Sequence, residues 1–225
     1  MKVFIKICGL ACAEDVAAVA ALRPDALGFV FWPRSPRAVT PEQVASWTRA
    51  LPPDILKVGV FVDPAPEELR RTVTTARLNI VQWHGHAMKA EGGRRKADEV
   101  FQSLEKTLSG VSGLWKVVRP DRGPGGSPTA IRDVEPFVDA ILLDSYSPTA
   151  PGGTGQVGDW AAARDFVAHC RKPVLLAGGL KPANVRAAVQ AVRPWGVDVS
   201  TGVEARPGQK DLELVKRFIE TCRTL

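Results

Sequence analysis

The stretch VFIKICGLACAEDVAAVAALRPDALGFVF, residues 3–31, decides the fold, because it reads as a strand, a helix and a second strand with short joints between them. In an extended segment successive side chains point to opposite faces. Val3, Ile5 and Ile7 therefore share one apolar face of the first strand, and Lys6 and Cys8 share the other. Ala13 to Leu22 is helical in pattern and opens with Glu14 and Asp15, acidic residues that suit a helix N-terminus. Ala26 to Phe31 is the second strand, and the order predicts a parallel unit with its helix packed outside.

The same alternation continues along the chain. Further strands are predicted at Lys57 to Val62, Ile80 to His84, Leu114 to Val118, Ala140 to Asp144, Pro173 to Ala177 and Gly196 to Ser200. Helices are predicted at Pro41 to Leu51, opened by Pro41 with Thr40 as its cap, and at Pro66 to Ala76. The remaining helices are Lys96 to Leu108, Thr129 to Phe137, Asp159 to Cys170, Pro182 to Val192 and Asp211 to Cys222. Eight such units in 225 residues predict an α/β fold, a single (β/α)8 TIM barrel spanning 1–225 with almost no room for a second domain. An open doubly wound sheet is the alternative. It has fewer strands and a Gly-x-Gly-x-x-Gly turn after the first, which Cys8-Gly9-Leu10-Ala11 does not supply.

With 45% hydrophobic residues the chain can bury a sizeable core, which argues against disorder. The 4 cysteines, Cys8, Cys12, Cys170 and Cys222, are too few and too irregularly spaced for a disulfide framework or paired zinc ligands. Reduced thiols in a cytoplasm are expected. The amino terminus is basic and then apolar, but Lys6 interrupts the run and Glu14 and Asp15 follow, unlike a secretory signal. No stretch approaches membrane-span length, so no membrane partner is expected. A net charge of +6 raises nucleic-acid binding, yet the densest basic run, Arg94-Arg95-Lys96, has no interleaved aromatics and reads as a solvated loop. The charge fits attraction of a small anionic substrate instead.

In such a barrel the active site lies at the carboxyl ends of the strands. The polar residues there are Cys8, the loop Arg34 to Arg37, Asp63, His84, Arg119, Asp144, Gly178 with Gly179, and Ser200 to Gly202. Cys8 is either a small core hydrophobe or a thiol aimed into the barrel mouth, where Lys6 on the same face would favour the thiolate. Asp144 ends an otherwise apolar strand, and burial there would raise its pKa and keep a proton available. A carboxylate that caps a loop, or pairs with Lys116 or Lys6, is the other reading. The glycine-bearing ends of strands seven and eight point to a phosphate site, where main-chain N–H groups approach without side-chain obstruction. Pro33-Arg-Ser-Pro-Arg37 offers guanidinium groups suited to a carboxylate, and Pro151-Gly-Gly-Thr-Gly-Gln156 is composed like a lid. His84 and His86 supply two nitrogens and no third ligand, so no metal is expected and His84 is a pocket-lining residue.

Taken in order and spacing, several strings resemble the phosphoribosylanthranilate isomerase family of tryptophan biosynthesis nearly end to end. They are Lys6-Ile-Cys-Gly, Ala26-Leu-Gly-Phe-Val-Phe with Ser35-Pro-Arg, Val58-Gly-Val-Phe-Val, Val81-Gln-Trp-His-Gly, Leu142-Leu-Asp, Ala177-Gly-Gly-Leu with Pro182-Ala-Asn-Val, and Val197-Asp-Val-Ser-Thr-Gly-Val-Glu. The resemblance implies an Amadori rearrangement of N-(5-phosphoribosyl)anthranilate to 1-(2-carboxyphenylamino)-1-deoxyribulose 5-phosphate. It implies Asp144 as the general acid that opens the furanose ring and Cys8 as the general base that takes the C2 proton. Arg37 matches the residue that holds the anthranilate carboxylate. Gly178, Gly179, Ser200, Thr201 and Gly202 match the phosphate site, and His84 and Asp198 complete the substrate-binding set. A depressed thiol pKa and a raised carboxyl pKa would suit these roles. No cofactor is implied, and the chain would act as a monomer or homodimer. The segment from His84 to Lys96 departs from the family pattern, as does Trp83. Two other readings stand beside this one: another sugar-phosphate barrel enzyme, and a basic non-catalytic module binding a polyanion.

Overall fold

Eight parallel strands hydrogen-bond in chain order and close on themselves in the computed structural model, which describes residues 2–84, 111–118, 135–144 and 159–225. They are β1 (Phe4–Cys8), β2 (Ala26–Val30), β3 (Leu56–Phe61), β4 (Ile80–Trp83), β5 (Gly113–Val118), β6 (Ala140–Asp144), β7 (Val174–Ala177) and β8 (Gly196–Val199). Each lies within a residue or so of its expected bounds. The described helices are α1 (Ala13–Ala21), α2 (Pro41–Trp47), α3 (Pro66–Ala76), α4 (Trp160–His169), α5 (Val185–Val192) and α6 (Leu212–Arg223). This is the (β/α)8 architecture.

Alternation along the strands sorts the apolar residues into two cores. Ile5, Ile7, Leu27, Phe29 and Leu143 face outward and pack with Val16, Leu69, Ala163 and Phe218 from the helices. Ala26, Val58, Ile80, Trp115, Leu142 and Leu175 fill the barrel itself. At the amino-terminal end of the strands Phe4 stacks on Trp195 at 4.5 Å and meets Trp115 edge-on at 5.9 Å, plugging that mouth. The opposite mouth carries the polar residues.

Helix ends follow local chemistry. Thr40 accepts from the Gln43 N–H while the Gln43 side chain accepts from the Thr40 N–H, a capping box that Pro41 extends. Asp159 and Asp211 were expected inside helices, but each stands one position before its helix and caps it through the N–H of Ala162 and Leu214. The helix expected from Pro182 begins at Val185, because residues 182–184 form a turn in which Asn184 Oδ1 accepts from the Lys181 N–H at 2.8 Å. Of the helix expected at Thr129 to Phe137, only a 3-10 turn at Glu135–Phe137 is described. The helix expected at Lys96 to Leu108 lies outside the described residues.

After β8 come a 3-10 turn at Thr201–Val203 and a hairpin, neither expected from the sequence pattern. A short antiparallel hairpin, β9 (Glu204–Arg206) and β10 (Gln209–Lys210), follows β8 and turns through Gly208 at φ +82°. Among the described residues no helix is long and apolar enough to cross a membrane.

Candidate active site

Cys8 is the last residue of β1, and its register partner on β2 is Gly28. That pairing makes room for two functional groups at once. A Cβ on Gly28 would lie 2.7 Å from Cys8 Sγ and 3.0 Å from Lys6 Nζ, so the absent side chain is the space they occupy. Lys6 is fully buried, and β1–β8 pairing sets it against Asp198, whose Oδ1 accepts from Nζ at 2.8 Å. An ammonium so placed needs a counterion. Burial pulls the Lys6 pKa down, but the charge of Asp198 and the nearby thiol outweigh it and leave it above its ordinary value.

The Cys8 thiol departs from expectation in direction. Burial pushes its pKa up, and the opposing pull of Lys6 does not compensate, so the resting thiol ionises less readily than an ordinary cysteine. The expected depression by Lys6 is thus reversed in sum. The physical reason is that the same barrel wall that brings the ammonium close also removes water from the sulfur.

Beside this row a cavity of about 210 Å³ opens among the carboxyl ends of β4, β6, β7 and β8. His84, directly after β4, and Asp144, the last residue of β6, line it together with Gly178, Gly179, Ser200 and Thr201, while Asp198 and Leu142 also reach it. Gly178 and Gly179 have φ of +87° and +67°, a left-handed path that side chains oppose. Gly202 has no room for a Cβ, which would run into the Leu180 carbonyl. The loops after β7 and β8 therefore interlock main chain against main chain, the arrangement expected of a phosphate cradle.

Arg37 reaches the site from the loop after β2. Its own N–H donates to Ser35 Oγ at 3.1 Å, a local turn that sets the side chain's departure. Its stem crosses over Gly9, where a Cβ would lie 2.6 Å from Arg37 Cδ and 2.7 Å from Ser200 Oγ. At φ +77°, Gly9 lets the chain turn away directly beyond Cys8. The guanidinium ends on Glu204, donating from Nε at 2.7 Å and from Nη2 at 2.5 Å. Glu204 also accepts from Lys210 Nζ at 2.9 Å, and Lys210 Nζ donates to the Ser200 carbonyl at 3.2 Å.

Charge in this second row is tightly shared. The hydrogen bonds that Arg37 donates to Glu204 hold the Arg37 pKa up. Burial alone would raise Glu204, but Arg37 and Lys210 outweigh it and keep the carboxyl below its ordinary value. Burial lowers Lys210, with Glu204 opposing.

His84, Asp144, Gly178, Gly179, Asp198, Ser200 and Thr201 thus share one cavity, and Cys8, Arg37 and Gly202 stand beside it without lining it. Asp63 stands one residue beyond the end of β3, after Val62, at φ 42°, and Arg34 is exposed. Arg119, His86, the basic run 94–96 and the loop 151–156 lie outside the described residues. Glu204 and Lys210 escaped the sequence reading. Glu204 ends the quoted string after β8, but its partner Arg37 lies 167 positions away, beyond any local pattern. Among the described residues no group of three His, Cys, Asp or Glu is placed to hold a metal ion.

Comparison with known proteins covers nearly the whole chain. The family model described as N-(5'-phosphoribosyl)anthranilate (PRA) isomerase matches residues 5–221. The N-(5'-phosphoribosyl)anthranilate isomerase of Geobacter sp. (strain M21) is 41% identical over 223 residues, 98% of each chain. The crystal structure of phosphoribosyl anthranilate isomerase from Thermotoga maritima superposes with TM-score 0.82 at 34% identity, covering 99% of this chain and all of that one. A structure of such an isomerase in complex with reduced 1-(o-carboxyphenylamino)-1-deoxyribulose 5-phosphate is similar with TM-score 0.79 and 34% identity, covering 99% of this chain and 100% of that one.

Proposed function

Because this chain belongs to the N-(5'-phosphoribosyl)anthranilate isomerase family, we propose that it isomerises N-(5'-phosphoribosyl)anthranilate with Asp144 as general acid and Cys8 as general base. The isomerase assignment within tryptophan biosynthesis follows from family membership along the whole chain. The roles of individual residues are the further step. What supports them most is that Asp144 and both glycine-bearing loops open into one cavity, with Cys8 and its charged neighbours beside it.

The substrate phosphate lies against the main chain of Gly178, Gly179, Thr201 and Gly202, and Ser200 and His84 complete the lining. Arg37 receives the carboxylate of the aromatic ring by paired, charge-assisted hydrogen bonds. Asp144 gives a proton to the furanose ring oxygen as the C1–O bond breaks, and the nitrogen lone pair forms the C1=N bond of a protonated Schiff base. The ionised Cys8 removes the C2 proton, and that electron pair flows through C1 to nitrogen, giving an enolamine. Ketonisation at C2 with protonation at C1 yields the product. The imine nitrogen is the electron sink in this scheme, so no cofactor takes part. Asp198 keeps Lys6 charged against the sulfur, which offsets the thiolate when it forms. The chain is read as one barrel domain spanning 1–225.

The test is turnover followed by the fluorescence change of the phosphoribosylated anthranilate. Cys8→Ser and Asp144→Asn should each lower kcat by about 10²- to 10⁴-fold, the range of a lost general acid or base, with little change in KM. Normal turnover in both variants would sink the residue roles. No turnover by the wild type would sink the substrate.

A further inference from the structure

Resting on the reading of Arg37 as the carboxylate-binding residue, we propose that Glu204 is a positioning residue that presents only one edge of Arg37 to the substrate. Glu204 holds Nε and Nη2 together, so the side of the guanidinium nearest its own stem is already occupied. The outer edge, Nη1 with the second hydrogen of Nη2, is what remains for a planar anion. A carboxylate ortho to the substrate nitrogen meets it end-on and in one plane. Glu204 thereby converts a flexible cation into an oriented fork.

The carboxylate that does this is itself fixed from behind. Its side chain is 4% exposed, and Lys210 grips the same Oε1 that Arg37 Nε uses, with its ammonium fully buried. Lys210 in turn is anchored by its N–H on Asp15 Oδ2 at 2.7 Å and by Nζ on the Ser200 carbonyl. The hairpin β9–β10 exists at the place that brings Glu204 and Lys210 side by side, since their register pairs them directly. Ser200 borders the proposed phosphate cradle, so one chain of contacts ties the two anion-binding ends of the site at a set separation. A substrate with a carboxylate at one end and a phosphate at the other is measured against that separation.

The experiment compares N-(5'-phosphoribosyl)anthranilate with the analogue on aniline, which lacks the carboxylate, using wild type, Glu204→Gln, Arg37→Ala and the double variant. Glu204→Gln should raise KM for the carboxylated substrate about 10- to 100-fold, the scale of a misplaced binding group, and leave kcat within a few-fold. Turnover of the aniline analogue should change by less than about threefold, because no carboxylate reads Arg37. In the Arg37→Ala background Glu204→Gln should add nothing further, since it acts through that residue. Equal losses on both substrates, additive losses in the double variant, or an unchanged KM would each overturn the proposal. Thermal unfolding of every variant separates these outcomes from a failure to fold, and a wild type that does not turn over the carboxylated substrate marks failure of the underlying reading instead.

Discussion

A buried thiol that resists ionisation is scarce as a thiolate but a strong base once formed, and Cys8 is in that position. The sign of its pH dependence follows. The proposed base is the thiolate and its folded pKa lies above the ordinary value, so the Cys8 thiol should be alkylated slowly at neutral pH and faster as pH rises, with no plateau below the ordinary thiol range. Lys6 is the largest opposing charge, so Lys6→Met should move this rise further alkaline. Iodoacetamide alkylation of Cys8 against pH, read by peptide mass, measures both without depending on the protonation of Asp144. An alkylation rate flat from pH 6 to about 8, or a rise unmoved by Lys6→Met, contradicts this sign. Two other thiols, half-buried Cys170 and buried Cys222, are set apart by surroundings: burial pushes Cys170 up to about 11 and Cys222 up to about 12, and neither is beside Lys6.

At the scale of elements, the loops after β7 and β8 act as one unit because Gly202 lies directly against the Leu180 main chain. A side chain at position 202 must push that chain aside and open the proposed phosphate cradle. Gly202→Ala should therefore raise KM by about tenfold or more, and overpacking should cost about 1–3 kcal/mol of stability. Steady-state kinetics and denaturant unfolding check the two effects. A variant with unchanged KM would show that the interlock does not shape the phosphate site. The turn at residues 182–184 belongs to the same unit, since Asn184 Nδ2 donates to the Gly179 carbonyl at 3.0 Å and braces the glycine pair.

For the whole molecule, closure is the event that matters, and the ion pair between Lys6 and Asp198 lies across the seam between first and last strands. Asp198→Asn leaves an ammonium buried without its counterion, which should cost about 3–5 kcal/mol. Urea unfolding measures it, and a loss below about 1 kcal/mol would show that the pair is not what stabilises the charge. Lys6→Met combined with Asp198→Asn should recover part of the loss, because no unpaired charge then remains inside. Near that seam α6 packs against β1 with Phe218 fully buried, and Arg223 at its end pairs with Asp25, just before β2, at 3.0 Å.

Eight βα units in 225 residues predicted the barrel from the sequence alone, and Ile5 and Ile7 outward with Lys6 and Cys8 inward could be read from the first strand, because side-chain direction along a strand is a local property. Asp144, His84 and the pair Gly178 and Gly179 were legible for the same reason: each stands at or just beyond the end of a strand, and strand ends in a closed parallel barrel face one mouth. Several helix starts were legible to within a cap, with Asp159 and Asp211 counted one position too far in, but the helix expected from Pro182 starts only at Val185, behind a turn. What the sequence could not decide was which charges meet. Lys6 pairs with Asp198 across 192 positions and Arg37 with Glu204 across 167, and both pairings depend on register and closure. The balance at Cys8 is of that kind too: a lysine two residues away suggested a readier thiolate, but only the tertiary structure decided how much water the closed barrel takes from the sulfur.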